Sequence, residues 1–309
     1  MDGYGNRCEL LLGDAENTAP QANDSITVEL DAGDGMQKIF TGIVDTVNIT
    51  ATEQHISAFD SLNHSVRLQT ENSYEDVDAD FVVKDILKQA SISTGKIITG
   101  IHLAALVVSK NTAAIQQLLQ LAQWCGADLY SDGEGKAHFT AAKDTGKQHS
   151  FQYGVNLQSL ALQTIPPIYD SIEVIGEGAA SSQGAEKFYW LAKDLSGVTG
   201  KAAIDDKGMV KTGSLGKTPR RLILGAVRSG EAAKQVAENT MQVLASRWLR
   251  GRMLVMGAPQ IKLADSIKVT DIPSKHSAAT LLQGSHTLRV RGICHTLDRK
   301  RGFITQVEF

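Results

Sequence analysis

The stretch Gly292-Ile293-Cys294-His295-Thr296-Leu297 repeats, in outline, Gly42-Ile43-Val44-Asp45-Thr46-Val47: both begin Gly-Ile, keep a Thr and close on an aliphatic residue. A second matching block lies upstream of each, Asp24-Ser25-Ile26-Thr27-Val28 before the first and Asp265-Ser266-Ile267-Lys268-Val269 before the second. Further upstream, Leu10-Leu11-Leu12-Gly13 answers Leu254-Val255-Met256-Gly257. Three blocks in one order, with unequal loops between them, are what a duplicated β unit leaves after its turns have drifted.

Each copy reads as strand. Ile261, Leu263, Ile267 and Val269 alternate, the period of a half-buried strand. Leu288 and Val290 are apolar at even positions and Ile293 and Leu297 at odd ones, so the inward face changes parity at Gly292, which predicts a β-bulge there in a backbone conformation suited to glycine, and by the repeat at Gly42. The turn Asp298 to Gly302 then leads into Phe303, Thr305, Val307 and Phe309, a final hairpin strand.

Outward from these copies, strands are expected near 8–12, 26–30, 37–49 and 54–59. Val82, Val83, Ile86, Leu87 and Ala90 have helical spacing from Asp80 onward, and a second helix runs from a cap at Asn111-Thr112 through Ile115, Leu118 and Leu119 to Trp124, stopping at Gly126. Asp128 to Phe139 reads as a hairpin. Strands follow near 155–163, 170–176, Lys187–Leu191 and Arg220–Leu224, with residues 192–218 expected as a long exposed loop and 230–250 as a helix of about six turns ending at Gly251. The predicted fold class is mainly β with an α+β insert: two similar small β-barrels, residues 1–65 and 146–309, flanking a helix-hairpin domain at 66–145.

The composition, 42% hydrophobic and 21% charged over 309 residues, is that of a globular chain with room for several cores. No apolar run approaches the roughly 20 residues that span a bilayer, and Met1 to Gly5 lacks the features of a signal peptide, so cytoplasmic synthesis is expected. Three scattered cysteines, Cys8, Cys125 and Cys294, suggest neither a disulfide framework nor a metal knuckle. The net charge of -3 hides an asymmetry: residues 1–80 carry -13, residues 81–200 carry -1 and residues 201–309 carry +11. Such a split suits a nucleic-acid surface or one end of a molecule meeting the opposite end of a neighbour, and the scarcity of aromatics among the basic residues weakens the first reading.

Motifs that would carry chemistry fail on context. Gly176-Glu177-Gly178-Ala179-Ala180-Ser181 approaches a dinucleotide fingerprint but has Ser181 in place of the third glycine and no apolar helix after it. Gly213-Ser214-Leu215-Gly216-Lys217-Thr218 lacks the first glycine of a phosphate loop, and Pro219 follows it. Asp76, Asp78 and Asp80 alternate without the glycine or distal glutamate of a calcium loop. Cys294 and His295 are strand neighbours and face opposite ways, which excludes a dyad. No catalytic, cofactor or metal residues are therefore assigned, and no enzyme activity is expected.

The order of these parts, with Phe40-Thr41-Gly42-Ile43-Val44-Asp45, Leu118 to Phe139, Tyr153-Gly154-Val155-Asn156-Leu157, Met256-Gly257-Ala258-Pro259, Asp265 to Val269 and the terminal hairpin, resembles the phage tail baseplate hub family, late control protein D, related to the hub part of type VI secretion spike proteins. The resemblance implies a non-enzymatic homotrimer of phage or prophage origin. Its two similar barrels per chain would form a pseudo-six-fold ring that adapts a hexameric tail tube to a trimeric spike. It implies tube and spike proteins as partners, with tape measure and baseplate wedge proteins beside them and DNA only as cargo, no membrane, and a place in the virion tail baseplate after assembly in the bacterial cytoplasm. The strands before the second unit have no counterpart before Cys8, so the first is expected to be short of a leading strand. Structural roles fall to Gly42 and Gly292; Arg247, Arg250, Arg252, Arg289, Arg291, Arg299, Lys300 and Arg301 are the candidate subunit-interface residues, opposite the acidic unit of a neighbour. The alternatives are a peptidoglycan-cleaving tail-tip enzyme, for which no carboxylate pair is placed, and a carbohydrate-binding β module, poorly supplied by 6% aromatics.

Overall fold

The computed structural model describes residues 5–13, 20–177, 198–205, 208–282 and 288–309. Strands β1 (Arg7–Gly13), β2 (Ser25–Leu30), β3 (Gln37–Ile49) and β4 (Glu53–Phe59) form an antiparallel sheet in the order β1-β4-β3-β2. Alternation dictates its inner face: Phe40 and Val44 on β3 and Ile56 and Ala58 on β4 are buried, while Glu53 and His55 face out. After a short helix α1 (Asn63–Arg67) come β5 (Asn72–Asp78), α2 (Ala79–Gln89), β6 (Thr94–Ile97), β7 (His102–Val108), α3 (Ala114–Cys125), β8 (Ala127–Ser131) and β9 (Ala137–Ala141). Helix α2 buries Val82, Val83, Ile86 and Leu87 on one stripe. Helix α3 starts from Ala113 without a side-chain cap, one residue beyond the capping pair expected at Asn111-Thr112, and ends on Gly126 at φ +60° as expected.

The chain continues through β10 (Gln148–Gln152), β11 (Leu157–Thr164), β12 (Ser171–Gly176), β13 (Thr199–Ile204), β14 (Val210–Thr212), β15 (Pro219–Leu224), α4 (Gly230–Ala245), β16 (Leu249–Met256), β17 (Ser266–Thr270), α5 (Ser277–Leu282), β18 (Leu288–Arg289), β19 (Gly292–Asp298) and β20 (Gly302–Glu308). The expected loop at 192–218 is corrected: its described part holds β13 and β14, in a sheet ordered β14-β13-β12-β15. The residues Gly200, Ala202 and Ala203 are too small to show a hydrophobic period, yet they let α4 lie on the strand; a Cβ at Gly200 would stand 2.0 Å from the Ala233 carbonyl oxygen. The expected strand at Lys187–Leu191 lies outside the described residues. Helix α4 stops at Ala245 rather than near Arg250, because Leu249 and Arg250 are taken into β16. One core runs from Leu62 through α2 and α3 to β12, β13 and α4, and a second gathers Phe151, Met253, Val255, Ile267, Val290, Val307 and Phe309.

The duplication is visible in the hydrogen bonds. Strands β1, β2 and β4 correspond to β16, β17 and β20, and β3 to β18 with β19, since β1 pairs with β4 as β16 does with β20, β3 with β4 as β19 does with β20, and β2 with β3 as β17 does with β18. Before β2, Asn23 sits at φ +77° and Ala264 before β17 at φ +70°. Asn23 N–H donates to Val44 O (2.8 Å) and Val44 N–H to Asp24 O (2.9 Å); Ala264 N–H donates to Val290 O (3.0 Å) and Val290 N–H to Asp265 O (2.7 Å). Each Asp carboxylate accepts from the backbone three residues back, Asp24 from Gln21 (2.7 Å) and Asp265 from Lys262 (2.9 Å).

These bonds correct the sequence match. Val290 holds the place of Val44, so pairing Gly42 with Gly292 is four residues out of register. Ile261 and Leu263 precede the turn and are not strand, β17 beginning at Ser266. Neither Gly42 nor Gly292 has a positive φ, and the irregularity in β3 falls between Val44 and Thr46. The architecture is mainly β with a helical insert, but the expected two closed barrels are replaced by a partial barrel. In the first unit β1 and β2 are the edge strands among the described residues, and in the second the counterpart of β3 breaks at Val290-Arg291 and the strands divide into sheets β10-β17-β18 and β11-β16-β20-β19.

Candidate assembly surface

The basic residues singled out from sequence separate into two groups. In the β19–β20 turn, Asp298 accepts from the backbone of Lys300 (2.9 Å) and Arg301 (2.7 Å) and from Arg301 Nε (2.8 Å), bonds that hold its carboxyl below the usual carboxylate range. This fixed turn leaves Arg299, Lys300 and Arg301 exposed. On β16, Arg250 and Arg252 point outward because Met253 and Val255 point in, and Arg250 Nε also donates to Arg247 O at 3.3 Å. Arg291 is half-buried and donates to Ser246 Oγ at 2.8 Å. Arg289 is buried: its Nη1 pairs with Asp128 and its Nε donates to Asp144 O (2.8 Å), so it ties the second β unit to the insert and leaves the set able to meet a neighbour.

The first unit presents a different kind of surface. Its equivalent strands in the second unit are covered, β16 by β11 and β17 by β10. Among the described residues β1 and β2 have no such neighbours, so the described part of the first unit has no counterpart of β10 or β11. Leu11 and Leu12 on β1 are 65% and 43% exposed. An unpaired strand with apolar side chains offers both hydrogen-bonding groups and surface to another chain.

A buried polar junction, which sequence reasoning missed, fastens this unit to the insert. Asp60, 2% exposed, accepts from Asn6 N (2.8 Å) and from Ser131 Oγ, and burial pushes its carboxyl above the usual range. Thr41 Oγ1 donates to Gly133 O and Ser61 Oγ to Gly135 O, each at 2.7 Å, so the β8–β9 turn lies across the start of the first sheet. No sequence signal marks Asp60 among the sixteen acidic residues of 1–80.

Burial lowers His295 to about 4 and its Nδ1 lies 2.9 Å from Thr305 Oγ1, while Cys294 is exposed on the other face. Burial raises the Cys125 thiol to about 12. Among the described residues no group of three or more His, Cys, Asp and Glu is placed to hold a metal, and no described helix is long and apolar enough to cross a membrane.

No protein-family model and no curated protein sequence matches the chain. Solved structures do. A 43 kDa tail protein of prophage MuSo2 from Shewanella oneidensis superposes with a TM-score of 0.69 at 14% identity, over 99% of this chain and 90% of that one. A tail protein from Neisseria meningitidis MC58 gives 0.67 at 10% identity over 99% and 87%. An E. coli component of the type VI secretion system, described as structurally similar to T4 bacteriophage tail proteins, gives 0.60 at 7% identity over 98% and 68%. The chain thus has the fold of these tail and secretion proteins.

Proposed function

We propose that the chain is a structural hub of a phage tail or phage-like injection device, working as a trimeric ring. In this reading residues 1–65 and 146–309 carry the two repeated units and 66–145 the insert. Three chains present six similar units to a hexameric tube and threefold symmetry to a spike. The observation that carries the reading is the duplication itself: two units with one strand order and one turn, in a fold shared with tail proteins. A closed ring of heterologous contacts gives such a pair of units a use, because each can meet the other unit of the next chain. Opposite fields, -13 over residues 1–80 and +11 over residues 201–309, favour that contact and penalise like against like. Tube, spike, tape measure and wedge proteins are the expected partners, DNA passes only as cargo, and the place of work is the virion tail baseplate.

Light scattering on the purified chain, alone and with a tube or spike protein, tests this: the expected mass is three times that of the chain. A monomer under every condition overturns it. Association is also expected to weaken as salt rises past about 0.15 M, where the screening length falls below roughly 8 Å. Reversing the turn with Arg299→Glu, Lys300→Glu and Arg301→Glu is expected to weaken it further.

A further inference from the structure

Each β unit is joined to the rest of the chain by one end of its sheet. In the first, the β8–β9 turn of the insert lies against the start of β3 and the end of β4, Thr41 Oγ1 donating to Gly133 O and Ser131 Oγ to Asp60. In the second, Leu249 at the start of β16 and Phe309 after β20 line one cavity with Ala142 of the insert and Ala245 of α4. The opposite ends carry aliphatic side chains outward. Leu12, Gln54 and Ile49 form one cross-strand row at the far end of β1, β4 and β3. Met256 closes β16, Leu297 stands opposite Phe303 where β19 turns into β20, and Val155 is exposed in the turn before β11. Ile49, Met256 and Leu297 are 65%, 63% and 65% exposed. Single exposed aliphatics are ordinary on a protein surface, but the same kind at the same end of two repeated units is not scatter. Both ends are also held rigid: Thr50 Oγ1 accepts from Glu53 N (3.0 Å) in one turn and Asp298 from Lys300 N (2.9 Å) in the other, so a partner meets a formed surface at little cost in ordering.

We infer that these far ends are the docking surface for the six-fold tail tube, the aliphatic rim of each unit entering an apolar socket on one tube subunit. The inference rests on the trimeric ring proposed above and adds which face of it the tube meets. Symmetry selects the occupant. Three chains carry six such ends, and a six-fold partner can meet all of them in one way, whereas a three-fold spike engages one unit per chain and leaves the other bare. Charge does not unite the ends, since the first has the exposed Glu53 beside its turn and the second has Arg299, Lys300 and Arg301. What they share is aliphatic surface. A second ring stacked end on is the other occupant, and the experiment separates it.

The experiment uses the full chain, tail tube protein purified as hexamers, and dilute hydrogen peroxide, which oxidises an exposed methionine to its sulfoxide. Met256 reports on the far end of the second unit, and Met36, 67% exposed at the opposite end of β3 from Ile49, is the control. Met256 is expected to lose its oxidation when the tube is bound, and Met36 to keep it, as read by peptide mass spectrometry. In the double variant Ile49→Thr, Leu297→Thr, whose new residues suit a strand, light scattering is expected to give the parental mass while half-saturation by tube hexamers moves up by about tenfold or more. A folded double variant that keeps its mass and binds the tube like the parent, or Met256 oxidised equally fast in the complex, overturns the surface and leaves the ring standing. A double variant of lower mass than a trimeric parent places these ends between neighbouring chains. A parent of twice the trimer mass that falls to the trimer in the variant places them between two rings, and either result overturns tube docking. So does a spike protein that protects Met256 in place of the tube. A parent that stays monomeric under every condition fails the ring itself, and the surface with it.

Discussion

Asp24 and Asp265 follow the same left-handed residue, accept from the backbone three residues back, and start the same strand, yet Asp24 is exposed and Asp265 is 6% exposed. Around Asp265 the chain has added a parallel strand, β10, which brings Lys147 N–H (2.9 Å) and His149 Nε2 (2.8 Å) to the same carboxylate. Around Asp24 nothing comparable is described. The two units therefore share a local blueprint and differ in what covers it. The turn and its two bonds to Val44 or Val290 are common to both copies, while β10 and β11 cover in the second the edges that no strand covers in the first among the described residues.

The difference sets the largest expected effect. Asp265→Ala leaves two backbone donors and a buried imidazole without their acceptor, a loss of about 4 kcal/mol at one to three per stranded group. Asp24→Ala, with only the exposed turn bond at stake, is expected to cost about 1 kcal/mol or less. Urea unfolding of the two variants measures both, and equal losses would mean that β10 does not lock the second unit.

A pH effect should single out the second unit as well. His295 is neutral in the fold, with burial lowering it from 6.5 to about 4, whereas His55 on β4 is exposed. The unfolded chain takes up that proton first, so the contribution is fully present above about pH 6.5 and is lost as pH falls through the window down to about 4, by at most about 3 kcal/mol. His295→Gln should flatten this part of the stability profile. Hydrogen exchange should show the second β unit loosening before the first, and a profile unchanged by the substitution would break the assignment.

Much of this fold was legible because alternation is a strong signal. The four strands of the first unit, both insert helices, the hairpin and the C-terminal strands fall within a few residues of their predicted bounds. What stayed hidden has physical reasons. Strand β13 is made of Thr199, Gly200, Lys201, Ala202, Ala203 and Ile204, whose inward residues are small because a helix backbone lies against them, so period two is invisible. The register of the repeat was missed by four residues because Gly-Ile is a weaker marker than a paired valine, which nothing but its hydrogen bonds identifies. Of the eight basic candidates, sequence could not separate Arg289, buried in an ion pair, from Arg299 to Arg301, exposed in a turn. The Asp60 junction depends on contacts across 71 positions, beyond any local pattern.

Gly42 and Gly292, equivalents by the sequence repeat, differ in what surrounds them. A Cβ on Gly42 would meet the Phe59 carbonyl oxygen at 2.3 Å and the Phe40 ring at 2.6 Å, backbone and packed aromatic that cannot step aside. At Gly292 the nearest atom is the Glu308 carboxylate oxygen at 3.0 Å, which can turn away, and Glu308 Cβ behind it at 3.3 Å is a tight contact rather than a clash. Gly42→Ala is expected to cost about 2 kcal/mol through overpacking, and Gly292→Ala less than about 1. Melting temperatures of the pair test this, and the reverse order would restore the sequence match over the hydrogen-bond register.

The smallest expected effect bears on the turn that both units share. Ala264, at φ +70°, has a Cβ where the left-handed region costs an ordinary residue about 1 to 2 kcal/mol, and Ala264→Gly removes that strain while adding roughly 0.4 to 1 kcal/mol of chain entropy to the unfolded state. The balance is a gain of about 0.5 kcal/mol. Asn23, at φ +77°, tolerates the region through its short polar side chain, so Asn23→Gly should gain nothing. The pair of substitutions separates two explanations of the repeat. If the turn is a common element required by both sheets, glycine stabilises only the copy whose residue is strained, and the valine partners Val44 and Val290 keep their protection in hydrogen exchange. If Ala264 is instead forced into place by β10 and the buried Asp265, glycine there releases the second unit, Val290 loses protection, and the gain in melting temperature disappears.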